Sequence, residues 1–173
     1  MVHAQAVAEY LLQHDSVEWI GVGARDSLRL EAGLCLYGQD LTAQVTPIEA
    51  HIGWSISRSR RTGGAKEGGF VGAETILRQQ RDGTSRRRVG LMIEGRAPVR
   101  QGAVVVNQQG SMVGEVTSGG FGPTLNAPVA MAYVDAPCSV LGTQLSAIVR
   151  GQERAVTVAD MPWVTHNYYR LPT

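Results

Sequence analysis

The run Gly23-Ala24-Arg25-Asp26-Ser27-Leu28-Arg29-Leu30-Glu31-Ala32-Gly33-Leu34-Cys35-Leu36-Tyr37-Gly38 constrains this chain more than any other stretch, because one helical segment carries both burial and charge. At about 100° per residue, Leu28, Ala32, Cys35 and Leu36 fall on one arc and Leu30, Leu34 and Tyr37 on nearly the opposite one. The spacing predicts a helix packed on two sides. Arg25 and Arg29, one turn apart, share the strip between the arcs, so their guanidinium groups are expected to emerge from an enclosed setting and to need anionic partners. Asp26 suits the first turn, where the helix dipole favours a carboxylate, and Gly38 is expected to supply the left-handed stop.

Upstream, Ala6, Val7, Tyr10 and Leu11 recur at helical spacing between Ala4 and Gln13, His14-Asp15-Ser16 breaks the pattern, and Val17 to Ile20 reads as a short strand. Followed by Gly21-Val22-Gly23, that strand has the outline of a dinucleotide-binding turn. Two features argue against it: Asp26 occupies the third glycine position, where a carboxylate would face the pyrophosphate, and no second strand ends in an acid at the right distance. A tight turn of small residues is the better reading. Downstream, Pro47 keeps Thr46 extended, and Trp54-Ser55-Ile56-Ser57 alternates like a half-buried strand. Arg58, Arg60 and Arg61 read either as a solvated strand end or as a docking patch for an acidic partner. Ala73 to Arg81 reads as a short helix facing inward through Ile76, Leu77 and Gln80, stopped by Asp82-Gly83.

Beyond that point the hydrophobic period changes to two. Val89 to Ile93, Ala103 to Val106, Met112 to Val116, Val129 to Val134, Thr143 to Val149 and Ala155 to Val158 read as strands, split by Asn107-Gln108-Gln109-Gly110, Gly119-Gly120, Pro137 and Gly151-Gln152. Short strands at this spacing predict a compact antiparallel barrel or sandwich. The expected class is α+β, with a mixed α/β unit over residues 1–82 and a β domain over 83–173. The aromatic, proline-bearing tail from Met161 to Pro172 is expected to be tied down.

Composition narrows function mainly by exclusion. The chain is 43% hydrophobic and 18% charged, as an ordinary globular chain is, and its net charge of +1 gives no overall pull toward nucleic acid or membrane. No apolar run approaches the roughly 18 residues of a membrane span, and the opening Met1-Val2-His3-Ala4-Gln5 lacks the basic start and apolar core of a secretory signal. Lys66 is the only lysine among 16 basic residues, a bias that weakens any single arginine as a signal. Cys35 and Cys138 are too few for a disulfide framework, and Cys35 reads as a small core residue. His3, His14, His51 and His166 have no metal-ligand spacing, and Val116 two residues before Ser118 rules out a Gly-x-Ser-x-Gly elbow. No catalytic constellation is complete.

Several short motifs occur in a telling order: the anchor run, then Thr46-Pro47-Ile48-Glu49 with Gly53-Trp54, Phe70-Val71-Gly72, Arg87-Arg88-Val89-Gly90-Leu91, Gly114-Glu115-Val116-Thr117-Ser118-Gly119, Val129-Ala130-Met131-Ala132-Tyr133-Val134 and Met161-Pro162-Trp163-Val164. In these the chain resembles the T-protein of the glycine cleavage system, a tetrahydrofolate-dependent aminomethyltransferase. Members of that family are longer, and the resemblance places their N-terminal half upstream of Met1. It implies a remnant of the folate-binding unit followed by a small antiparallel β-barrel or jelly-roll-like domain. It also implies transfer of the methylene of an aminomethyl group on lipoyl-bearing H-protein to tetrahydrofolate, with release of ammonia. Arg25 and Tyr168 match family positions that contact substrate, and Arg88 one near the folate. The acid–base aspartate and a substrate-binding glutamate belong to the absent half, so no catalytic residue is expected in this chain, nor a metal, nucleic-acid or membrane partner. Self-association of the fragment is expected, as is a mitochondrial matrix location in a eukaryote, the favoured case, or a cytoplasmic one in a bacterium.

The residues leave other readings open: a structural pair between Arg25 and Asp26 or another buried acid, simple tail packing for Tyr168, and a solvated strand entrance for Arg86 to Arg88. The folate-binding domains of sarcosine and dimethylglycine dehydrogenases and the dimethylsulfoniopropionate demethylases share parts of the pattern, and an inactive folded fragment is a further alternative. The Lys-Gly-Cys element of relatives that aid iron–sulfur assembly is absent.

Overall fold

The computed structural model describes residues 3–171; the Met1-Val2 opening and Pro172 of the tail lie outside the described residues. Six antiparallel strands close into a barrel in the order β1-β4-β3-β2-β5-β6, with β6 returning to β1. They are β1 (Arg86–Ile93), β2 (Val104–Val106), β3 (Met112–Gly122), β4 (Ala127–Asp135), β5 (Gln144–Val149) and β6 (Gln152–Ala159). The class is α+β, as expected. β1, β3, β4 and β6 run longer than the alternation suggested, and Gly119-Gly120 lies inside β3, paired with Val129 and Ala130, instead of splitting it.

Alternate residues fill the barrel interior: Val89, Leu91 and Ile93 from β1, Ala130, Ala132 and Val134 from β4, Leu145 and Ala147 from β5, and Val156 and Val158 from β6. The other face of β4 is buried as well, because Val129 and Met131 form a second cluster outside the barrel with Leu30, flanked by Met92, Leu125, Met161 and Trp163. The unbroken apolar run of β4 follows from this double burial.

Among the described residues three α-helices accompany the barrel: α1 (Ala4–Leu11), α2 (Val22–Glu31) and α3 (Ala73–Asp82), the last burying Ile76 and Leu77 as its pattern required. The anchor run is helical only through Glu31, with Gly33 as the left-handed stop at φ +67°. The Gly33 amide donates to the Leu30 carbonyl at 2.9 Å and the Leu34 amide to the Arg29 carbonyl at 2.9 Å, the paired closure of a Schellman end. Gly38, at φ +90°, serves a later turn. The helix therefore packs at its C-terminal end alone: Arg29, Leu30 and Glu31 are buried, whereas Val22, Leu28, Leu34 and Tyr37 are exposed. Two expected strands are absent. Val17 to Ile20 has no regular secondary structure, and Trp54-Ser55 belongs to a 3₁₀ turn over Gly53–Ser55, followed by another over Arg58–Arg60. Alternation alone cannot supply a ladder partner, and among the described residues neither segment has one.

Candidate functional site

The carbonyls that a helix leaves unpaired at its C-terminal end must be satisfied, and here the tail does so for α2. The Trp163 and Val164 amides donate to the Glu31 carbonyl at 3.0 and 3.1 Å, and His166 Nε2 donates to the Ala32 carbonyl at 2.8 Å. Gly90 of β1 admits this docking, since a Cβ there would lie 2.8 Å from Met161 Cγ and from Trp163 Cζ2. The tail is tied down only through His166: Tyr168, Tyr169 and Leu171 beyond it are exposed, and Tyr168 lies beside His166, the two rings tilted with centroids 4.8 Å apart.

Behind the tail lies a cavity of about 900 Å³, walled by Gly33, Leu34 and Cys35 after α2, His51, Ile52 and Trp54, Arg87 to Gly90 of β1, Leu141, and Ala159 to Pro162 with His166 and Tyr168. Arg88 forms part of its wall while being only 6% exposed. Its guanidinium donates to the Ala50 carbonyl at 2.8 Å, the Gly33 carbonyl at 3.2 Å and the sulfurs of Met131 and Met161 at 2.9 and 3.7 Å. All these acceptors are neutral. A buried cation without a carboxylate is costly, so this wall suits an anionic ligand. Beside it, burial pushes the Cys35 thiol upward, against the opposing pull of Arg88.

The second polar cluster is structural. Asp40 is fully buried and accepts from Arg29 Nη1 at 2.8 Å, the Leu36 amide at 2.8 Å, Thr117 Oγ1 at 2.6 Å and Ser118 Oγ at 2.9 Å. Tyr133 Oη donates to the Asp40 carbonyl at 2.8 Å, and burial pushes that phenol well above its ordinary range. Arg29 also donates to Asp26 at 2.7 Å. The enclosed arginine of the anchor run is thus Arg29. Arg25 is exposed, makes no side-chain hydrogen bond or ion pair among the described residues, and does not line the cavity.

Of the three residues singled out from sequence, Arg88 and Tyr168 therefore share one cavity and Arg25 stands apart. Arg88 is not a solvated strand entrance. Arg60 and Arg61 turn inward to loop carbonyls, Arg60 to Gly68 at 3.0 Å and Arg61 to Ile56 and Trp54 at 2.8 Å, and so cross-link their own loop. His51 was missed. It sits at φ +57° after one turn over which the Thr46 amide donates to Glu49 Oε2 at 2.9 Å and the Glu49 amide to Thr46 Oγ1 at 3.2 Å. That capping box, written in the sequence as Thr-x-x-Glu, was the available signal. Among the described residues no group of three or more His, Cys, Asp or Glu could hold a metal ion, and no helix is long and apolar enough to cross a membrane.

Residues 86–164 match the family described as the glycine cleavage T-protein C-terminal barrel domain, and residues 2–60 match the GCVT N-terminal domain. The chain is 48% identical over 154 residues to a mitochondrial aminomethyltransferase of Flaveria trinervia, covering 89% of this chain and 37% of the relative. To that of Pisum sativum it is 45% identical over 170 residues, covering 97% and 40%. The crystal structure of the glycine cleavage system aminomethyltransferase T from Bartonella henselae superposes with a TM-score of 0.87 at 46% identity, over 96% of this chain and 45% of that one. The chain thus spans less than half the length of these relatives.

Proposed function

Because the chain belongs to the glycine cleavage T-protein family, we propose that it is the barrel-bearing part of a tetrahydrofolate-dependent aminomethyltransferase of glycine catabolism. In that reaction the methylene of an aminomethyl group carried on lipoyl-bearing H-protein passes to tetrahydrofolate, and ammonia and the dihydrolipoyl arm are released. The observation that carries the reading is Arg88, a buried guanidinium whose hydrogen-bond acceptors are all neutral, set in the wall of a cavity of about 900 Å³. Folate ends in carboxylates, and a charge-assisted contact to a guanidinium contributes about 1.5–3 kcal/mol. Arg88 would meet such a carboxylate, and Tyr168, half in solvent at the cavity mouth, would close over the ligand.

Arg25 belongs to the same proposal through its family position alone. We assign no acid–base group to this chain, so it binds and orients while the proton chemistry falls to the remainder of the family fold. We also propose a division of the chain near Asp82, with residues 1–82 belonging to the folate-binding unit and 83–173 to the barrel. The mitochondrial names of the relatives support a mitochondrial matrix location if the source is a eukaryote, and for a bacterial source we propose the cytoplasm.

Equilibrium titration with tetrahydrofolate tests the binding role. The chain should bind measurably, Arg88→Ala should weaken binding about tenfold or more, and affinity indifferent to Arg88 would overturn the assignment. Ammonia release from aminomethyl-loaded H-protein tests the catalytic part. Turnover by this chain within about tenfold of a full-length relative would mean that the acid–base groups lie within it.

A further inference from the structure

Tyr168 reaches the cavity with little to hold it there. Its side chain is 60% exposed, and among the described residues its phenol makes no hydrogen bond and its one aromatic contact is the His166 ring. A side chain so free samples many rotamers, and ordering it on a ligand costs entropy. The restraint lies two residues upstream. His166 Nε2 stands 2.8 Å from the Ala32 carbonyl, and because a carbonyl only accepts, the proton is on Nε2 and the imidazole is tethered to the C-terminal end of α2. Among the described residues no hydrogen bond joins the chain after His166 to the rest of the protein, so this imidazole is the last fixed point of the tail.

The Tyr168 ring packs on that fixed point. The centroid separation of 4.8 Å falls within the range of about 4.5–7 Å over which aromatic rings attract one another. His166 and Tyr168 both line the cavity, whereas Asn167 and Tyr169 do not, so the two rings share the cavity side of the tail. Given the folate reading of that cavity, on which this role rests, we propose that His166 is a positioning residue. Pinned to the Ala32 carbonyl, its imidazole holds the Tyr168 ring over the cavity that Arg88 walls. The end of α2 thereby sets the placement of a residue near the other end of the chain. A ring already in place leaves the ligand less to order, which is how pre-organisation raises affinity.

His166→Gln separates the two functions of this side chain, since its amide keeps an N–H donor for the Ala32 carbonyl but lacks the ring. In NMR spectra of the labelled chain without ligand, amide exchange at Trp163 and Val164 should match the parent, while the Tyr168 ring protons move toward random-coil shifts. Tetrahydrofolate affinity should fall about fivefold. Tyr168→Ala and the double variant complete a cycle: if His166 acts through the tyrosine, His166→Gln in the Tyr168→Ala background changes affinity by less than about twofold. Losses that multiply would make His166 an independent contact and overturn the proposal. Tyr168 ring signals or tetrahydrofolate affinity unchanged in His166→Gln would overturn it too. A loss of affinity that tracks faster Trp163 and Val164 exchange would do the same, by making His166 a clamp of the whole tail. Arg88→Ala, run beside these, keeps the folate reading distinct. Affinity indifferent to Arg88 removes that reading, whereas the Tyr168 ring shift in unliganded His166→Gln still decides whether His166 holds the ring.

Discussion

Thr117 and Ser118, consecutive residues of β3, donate to the two oxygens of one carboxylate, Asp40, at 2.6 and 2.9 Å. Neighbours on a strand normally point to opposite faces. The register shift between Val116 and Ser118 makes the exception, since a bulge re-aims one side chain. The Asp40 carboxylate, gripped by both hydroxyls and by Arg29, therefore fastens the segment after α2 to the outside of the barrel.

Asp40→Ala should destabilise the chain by about 1–3 kcal/mol, because it removes the buried carboxylate from Arg29, which keeps Asp26 and Gln39, and leaves the Leu36 amide without an acceptor. Denaturant unfolding would read this as a lower midpoint. Asp40→Asn, which keeps shape and one acceptor, should fall between. A midpoint unchanged in Asp40→Ala would mean that the cluster is solvated and not structural.

Gly90→Ala tests the docking of the tail. The added methyl would lie 2.8 Å from Met161 Cγ and Trp163 Cζ2 and 2.9 Å from the Ala159 carbonyl, and the last cannot swing away. We expect a loss of about 1–3 kcal/mol together with a red shift of Trp163 emission as the tail lifts from β1.

Stability should fall on the alkaline side. Burial raises the Cys35 thiol above its ordinary 9.0, so the unfolded chain ionises first and holds fewer protons than the folded one. Stability from this group is complete below about pH 9 and is lost as pH rises toward the folded value. Tyr133, raised for the same reason, extends the decline to higher pH. Urea unfolding across this range should show the slope, and Cys35→Ala should remove its lower part. An unaltered slope would place the thiol in water.

Arg25 and Arg88 should separate by readout. Arg25→Ala changes an exposed side chain without partners among the described residues, so this chain's melting should not move. In a full-length family aminomethyltransferase carrying this segment, the same change should cost about tenfold or more in folate-dependent turnover, with Arg25→Lys rescuing partly because a point charge lacks the guanidinium fork. Arg88→Ala removes four hydrogen bonds and should lower both melting and folate affinity. Wild-type turnover in folded, intact Arg25→Ala would remove Arg25 from the site.

Much of this architecture was written locally. Strand positions followed from period-two alternation, since each strand turns one face to the barrel interior, and α3 followed from Ile76 and Leu77 at helical spacing with Gly83 after them. The order of motifs was enough to identify the family. What sequence could not decide was anything set by contact between distant segments. Helical periodicity ran on past Glu31, but Gly33 stopped the helix because its positive φ allows the chain to turn under the tail. Burial fell on Arg29 and not on Arg25 because only the C-terminal end of α2 reaches β3 and β4. The cavity joining Arg88 to Tyr168 exists because residues 80 positions apart meet where the tail satisfies the last carbonyls of α2. Local pattern determines which element a segment becomes, whereas enclosure depends on what the rest of the chain packs against it.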